Sequence, residues 1–227
     1  MPLVDAAFAL DNVLLALSLA AAIIHGTEVR APPSYPRLAS KTASTALLSA
    51  VSSVRGSSSL LTTALALGAT GDAFLAWNDS DATFLGGLSS FLVAHVLYIA
   101  LLIQAGGGQV QLLDDDWRIA TAGVLGVVLA PVMIALLMPQ VERALRAPIL
   151  VYTTAIILMV LAALTMDDGQ VVAGALLFAA SDGILSADRF LISPTSSHRA
   201  WMQYAVWGLY YSGQLLITLG LSKPLPS

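Results

Sequence analysis

The chain has 227 residues, of which 57% are hydrophobic and only 11% charged, with a mean hydropathy of +0.82. Soluble domains hold about a quarter charged residues, so a water-soluble fold is excluded and a membrane protein is expected. A formal charge of −4 without a dense basic patch gives no support for nucleic-acid binding, and zero cysteines exclude disulfides, thiolate catalysis and Cys-ligated metal.

Eight apolar stretches follow one another, each near the 17–25 residues that cross a bilayer as helix. The N-terminal MPLVDAAFALDNVLLALSLAAAIIHG carries Asp5 and Asp11 instead of a signal peptide's basic region, so 3–25 is read as the first span. APPSYPR then turns the chain into a second span over 38–55, whose STALLSAVSSV segment is Ser-rich and only moderately apolar. Spans three and four lie over 58–77 and 84–104, and QAGGGQ reads as the loop that follows. The fifth, 118–138, contains Pro131 and is expected to kink there. Spans over 147–165, 170–191 and 200–221 complete the set. The loops are too short for a second folded domain. The expectation is an all-α polytopic membrane protein, one integral membrane domain over 1–227 built as a bundle of about eight transmembrane helices.

Orientation follows from the ten Lys and Arg. Alternate loops, with the span ends beside them, put Arg30, Arg37, Lys41, Arg143, Arg146, Arg189 and Arg199 on one face. The other face holds Arg55, Arg118 and Lys223 with the acidic DDDW and MDDG loops, whereas NDSD adds no positive charge to the basic face. The positive-inside rule makes the basic face cytoplasmic and puts both termini outside. Trp77, Trp117 and Trp201, near span ends, read as interface anchors.

Polar residues within the spans carry the functional signal. Asp72, in GATGDAFLAW, and Asp182, in VVAGALLFAASDGILSADRF, lie about 8 Å and 13 Å from the basic face. His95, in FLVAHVLYI, lies about 16 Å in from that face, and Tyr98 shares its helical side three residues on. In the last span Gln203, Trp207, Tyr210, Tyr211 and Gln214 recur at spacings of three and four. Lys41, Thr45, Ser49 and Ser52 form a matching stripe on the second span. Spans 2, 3, 4, 7 and 8 are therefore expected to enclose a polar cavity open to the basic face. GDAFLA and SDGILSA, 110 residues apart, hint at two parallel four-helix halves.

Each residue also has a structural reading. An intramembrane Asp can be held by Arg189, a Ser or a backbone group, His95 can be a packing residue, and Lys41 can snorkel or set topology. Span tyrosines are more often core or interfacial than catalytic. Two carboxylates at similar depth beside a histidine and a tyrosine stripe point jointly to a site, because ionisable groups in hydrocarbon are costly without a task.

GDAFL, FLGGLSSFLVAHVLYI, SDGILSADRF and YYSGQLLI, in that order, resemble the YhhN/TMEM86 family of lysoplasmalogenase-like integral membrane proteins. Lys41 falls where the family tends to have a Lys-Pro pair, with Thr42 in place of the proline. The resemblance implies hydrolysis of the vinyl ether bond of a lysophospholipid (lysoplasmalogen) to a fatty aldehyde and a glycerophospho-choline or -ethanolamine. It also implies a multi-pass protein among the lipids of a bacterial cell membrane or the eukaryotic endoplasmic reticulum. Vinyl ethers are cleaved by acid through an oxocarbenium ion, so the reaction needs a proton donor and a carboxylate that activates water, as in glycosidases. Burial and a neighbouring carboxylate both help keep one such group protonated.

Asp72 and Asp182 are thus the expected acid and base, in undetermined order. His95, Tyr98 or Tyr210 would orient water or the lipid oxygen. Lys41 and Arg189 would hold the phosphate, with Asp188, Trp207, Tyr211 and Gln214 completing the substrate-binding set. No cofactor or metal is required: of the three histidines, His25 and His198 lie at span ends or in loops. The alternative is a small-molecule or lipid transporter using intramembrane Asp residues, although no Gly/Pro-interrupted spans recur in matching positions.

Overall fold

The computed structural model describes residues 2–77, 80–106, 113 and 115–222, and within these the side chains from residue 8 onward. The Asp5 side chain, the Asn78–Asp79 half of NDSD, the second half of the QAGGGQ loop, Asp114 of DDDW and Lys223 lie outside the described residues. All regular structure among the described residues is helical. In chain order the helices are α1 Pro2–Glu28, α2 Tyr35–Val54, α3 Ser59–Trp77, α4 Asp81–Ala105, α5 Asp116–Leu137, α6 Arg143–Ala163, α7 Gly169–Phe190 and α8 His198–Leu221.

Six of them are long and apolar enough to cross a membrane. The chain is a multi-pass membrane protein. The two below that mark are α2 and α8, the helices with polar stripes, and both turn buried polar residues inward: Ser44, Thr45, Ser49 and Ser52 from α2, Gln214 and Thr218 from α8. Outward, Leu17, Ile23, Val93, Ile103, Val127 and Leu158 are exposed, as a lipid-facing surface requires.

Local chemistry sets the helix ends. Ser34 caps α2, its hydroxyl accepting from the Arg37 N–H, and Pro36 occupies the first turn, where no amide donor is needed. Ser80 and Thr83 close a reciprocal capping box on α4. In α5, Pro131 follows a π-helical turn, Val124–Leu129, inside an otherwise continuous span. The widened turn accommodates the amide that Pro131 lacks. In α6 the helix begins at Arg143, ahead of the sequence estimate, so Pro148 lies inside it.

The main core joins α1–α4 with α6–α8, through Leu48, Leu65, Tyr98, Met159, Phe178 and Ile217 among others. The α5 helix packs on its flank through Ala122 and Leu125. The hairpins α3–α4 and α7–α8 pack through glycine. A Cβ on Gly174 would lie 2.9 Å from the Gly213 carbonyl, and one on Gly71 would lie 2.6 Å from the Phe91 ring. That close approach brings α8 against α7 and seats Phe91 over α3, which fixes the walls of the interior polar site.

Candidate active site

Asp72 is buried in α3 one turn below Gly68, with 1% of its surface exposed. Its Oδ2 accepts from Tyr210 Oη at 2.6 Å and from Thr45 Oγ1 at 2.8 Å, and Lys41 Nζ stands 3.5 Å from Oδ1. Lys41 and Thr45 are four apart on α2, so one helical face supplies both. Three helices thus converge on one carboxylate, and Oδ1 has no hydrogen-bond partner.

Asp182, on α7, is also buried. Its Oδ2 accepts from Tyr152 Oη at 2.7 Å, a residue of α6. The structural partner considered for it, Arg189, is engaged elsewhere. The two carboxylates lie within electrostatic range of each other, and the Lys41 charge acts on both.

His95 and the aromatic groups fill the space between. His95 Nδ1 lies 2.6 Å from the Phe91 carbonyl. A carbonyl only accepts, so Nδ1 carries the proton, and a neutral ring presents Nε2 as an acceptor. That Nε2 is buried without a partner. The ring meets Tyr152 and Phe178 edge-on at 5.3 Å and 4.9 Å, and Phe178 meets Tyr210 at 5.4 Å. Tyr98 donates to Gln214 Oε1 at 2.7 Å, while Gln214 Nε2 is a third buried, unpartnered polar atom. A Cβ at Gly68 would lie 3.1 Å from that Nε2 and 3.7 Å from Tyr210 Oη, so glycine there lets the amide approach α3 beside Tyr210.

Not every residue singled out from sequence joins this group. Trp207 Nε1 donates to the Ala22 carbonyl at 3.0 Å, and Tyr211 Oη lies 2.9 Å from Ser18 Oγ. Tyr210 and Tyr211 are adjacent in sequence and therefore about 100° apart around α8, which sends one toward α3 and the other toward α1. Asp188 is held bidentately by Arg199 at 2.9 Å and 3.1 Å, tying the end of α7 to the start of α8. Arg189 pairs with Asp81 at 3.5 Å and lies over the Phe84 ring, 3.7 Å from its centroid, at the basic end of α4. Nothing in the sequence marks Tyr152, and Thr45 is marked there only as part of a stripe. Among the described residues, no three of His, Asp and Glu come together as a metal site.

Between α2 and α3 a groove of about 440 Å³ opens on the outside of the bundle, lined by small residues including Ala46, Ala66, Ala69 and Ala73 with Thr42 and Thr70. It runs beside the helix faces that carry Lys41, Thr45 and Asp72.

A bundle of apolar helices around a buried pair of carboxylates defines a polytopic membrane protein with an interior polar site. The YhhN family model matches residues 36–221, and the chain belongs to the YhhN family. It is 32% identical over 173 residues to the Homo sapiens protein named lysoplasmalogenase TMEM86B, covering 75% of this chain and 67% of that one. It is 30% identical over 162 residues to proteins named lysoplasmalogenase from Mycobacterium bovis and Mycobacterium tuberculosis, covering 70% of this chain and 59% of each. The match thus spans about three fifths of the mycobacterial proteins. No solved structure matches the chain.

Proposed function

We propose that this chain is a lysoplasmalogenase, hydrolysing the vinyl ether bond of a lysoplasmalogen to a fatty aldehyde and a glycerophospho-alcohol. The observation that carries the reading is the pair of buried carboxylates, each held by a tyrosine hydroxyl and both under the charge of Lys41, in a chain whose relatives bear that name.

The chemistry assigns distinct tasks. Asp182 is the acid: with Oδ2 accepting from Tyr152, a proton on Oδ1 is free to pass to the alkene carbon distal to the ether oxygen. The carbon next to oxygen becomes an oxocarbenium ion. Asp72 is the base, taking a proton from water through Oδ1, which faces Lys41 but accepts no hydrogen bond, as the water oxygen adds to that carbon. The hemiacetal then collapses: its hydroxyl proton leaves as the carbonyl forms, and the C–O bond to glycerol breaks with protonation of the departing oxygen. Each carboxyl group thereby returns to its starting state. His95 Nε2 and the Gln214 amide, both buried and unpartnered, orient water and the ether oxygen, with Tyr98 fixing Gln214 and Tyr210 fixing Asp72. Lys41 and Arg189 add to the positive charge of the basic end, which draws the anionic headgroup toward it without binding it directly. The alkenyl chain lies in the groove between α2 and α3.

The test is mass spectrometry of the detergent-purified protein incubated with an alkenyl-lysophospholipid. Wild type is expected to release the aldehyde, and folded Asp72→Asn and Asp182→Asn variants to lose about 10²- to 10⁴-fold in rate, the range for a positioned acid or base. Folded wild type that forms no aldehyde overturns the substrate; variants that retain full rate overturn the carboxylate pair.

A further inference from the structure

Between the carboxylates and the basic end lies a second polar cluster, His25, Glu28, Arg37 and Ser40, that this chemistry does not use. Arg37, Lys41 and Thr45 follow at intervals of four on α2, one turn or about 5–6 Å apart. The lower two contact Asp72. Arg37, one turn nearer the surface, is half-buried; its Nη1 donates to the Ala76 carbonyl at 2.7 Å, and its buried Nε has no partner. Glu28, the last residue of α1, accepts from Ser40 Oγ at 2.7 Å, and His25 Nδ1 lies 3.3 Å from the same hydroxyl. The Glu28 charge acts on Arg37, yet no ion pair joins them among the described residues.

The cluster connects to the site through aromatic rings. His25 meets Trp207 edge-on at 4.3 Å, and Trp207 lies 5.8 Å from Tyr210, the residue that holds Asp72. Glu28 and His25 lie on α1, N-terminal to the family match over residues 36–221.

A cation and an anion kept near but apart suit a zwitterion. A glycerol backbone is about as long as one helical turn, about 5.4 Å. With the vinyl ether at Asp72, the phosphate therefore falls at the level of Lys41 and Arg37. Lys41 is already paired with Asp72, which leaves Arg37 as the cation with unused donors. Beyond the phosphate, an amine reaches the end of α1. A primary ammonium donates hydrogen bonds that a carboxylate accepts, whereas a quaternary ammonium cannot donate and is held on aromatic faces instead. Glu28, with one oxygen engaged by Ser40, has lone pairs remaining for such donors.

We propose that His25, Glu28, Arg37 and Ser40 form a headgroup subsite that selects ethanolamine over choline. Arg37 takes the phosphate and Glu28, positioned by Ser40 and His25, takes the primary ammonium. This rests on the lysoplasmalogenase reading and names its preferred substrate.

The test uses the full chain in detergent with three alkenyl-lysolipids, carrying ethanolamine, choline or bare phosphate. Glu28→Gln is expected to lower kcat/KM for the ethanolamine lipid about tenfold relative to the bare phosphate lipid. Arg37→Gln is expected to lower all three. Ser40→Ala, which keeps the carboxylate but frees it, should narrow the ethanolamine preference about threefold, and it serves if Glu28→Gln fails to fold. A ratio unchanged by Glu28→Gln and Ser40→Ala overturns the subsite. Binding of a non-hydrolysable alkyl-ether lysolipid with an ethanolamine head, followed by tryptophan fluorescence, separates the two readings. Glu28-dependent binding without aldehyde from any substrate sinks the reaction and keeps the subsite. Aldehyde formation with binding indifferent to Glu28 does the reverse.

Discussion

The surroundings of Asp72 and Asp182 differ more than their similar depth suggests. Asp72 gathers Thr45 and Lys41 from α2 and Tyr210 from α8, two hydroxyls and one cation on a single carboxylate. Asp182 has one hydroxyl, that of Tyr152 on α6, with His95 stacked edge-on against the same tyrosine. Donors aimed at a carboxylate stabilise its charged form, and a cation does so most. Asp72 therefore has more partners that favour its charged form than Asp182 has. Asp182 has a single hydroxyl donor and no cation within ion-pair distance, and this asymmetry is the reason base is proposed for the first and acid for the second. In a pair with identical surroundings the two roles would be interchangeable.

The largest expected effect separates the two by pH. A base must be ionised, so it confers a limb on which kcat rises with pH; an acid must be protonated, so it confers a limb on which kcat falls. Residual activity of Asp72→Asn should lose the rising limb, and that of Asp182→Asn the falling one, on top of the losses of about 10²- to 10⁴-fold in rate. Rate measurements across pH with the ethanolamine lipid decide it, and the opposite pattern exchanges the roles. The tyrosines give a smaller effect with a clear order. Tyr152→Phe removes the hydroxyl that holds Asp182 and should lower kcat about tenfold, the value of one hydrogen bond to a charged or reacting group. Tyr210→Phe leaves Asp72 with Thr45 and Lys41 and should cost about threefold. Equal losses would remove the asymmetry.

How much of this was legible beforehand depends on whether a residue's partner is local or distant. All eight helices were legible from apolar length, and α2 and α8, the least apolar, were recognisable by polar residues repeating at three and four. Asp72 and Asp182 stood out because carboxylates are rare in such spans. Tyr152 did not: a tyrosine in an apolar helix carries no mark of its task until α6 is seen against α7, with Asp182 30 positions away. Tyr211 had the same stripe spacing as Tyr210 yet turns to Ser18 on α1, since a wide stripe faces two neighbours and spacing alone does not say which. Asp188 looked like part of the site but is held by Arg199 across the α7–α8 turn. The helix α6 starts at Arg143, ahead of the apolar run that marks the span, because RALR continues the helix without being apolar.

The smallest effect bears most directly on why the two carboxylates differ. Lys41 acts on both, but it is within ion-pair distance of Asp72 only, at 3.5 Å. A double-mutant cycle on thermal unfolding in detergent, with Lys41→Met against each Asp→Asn, isolates the pairwise energies. The Lys41–Asp72 coupling should be about 1 kcal/mol, modest because the ammonium is partly exposed. The Lys41–Asp182 coupling, with no ion pair behind it, should be the smaller, about half of that or less. Two equal couplings would mean that Lys41 bridges the pair. The cation could not then favour one carboxylate as the anion, and the division into acid and base would rest on the tyrosines alone.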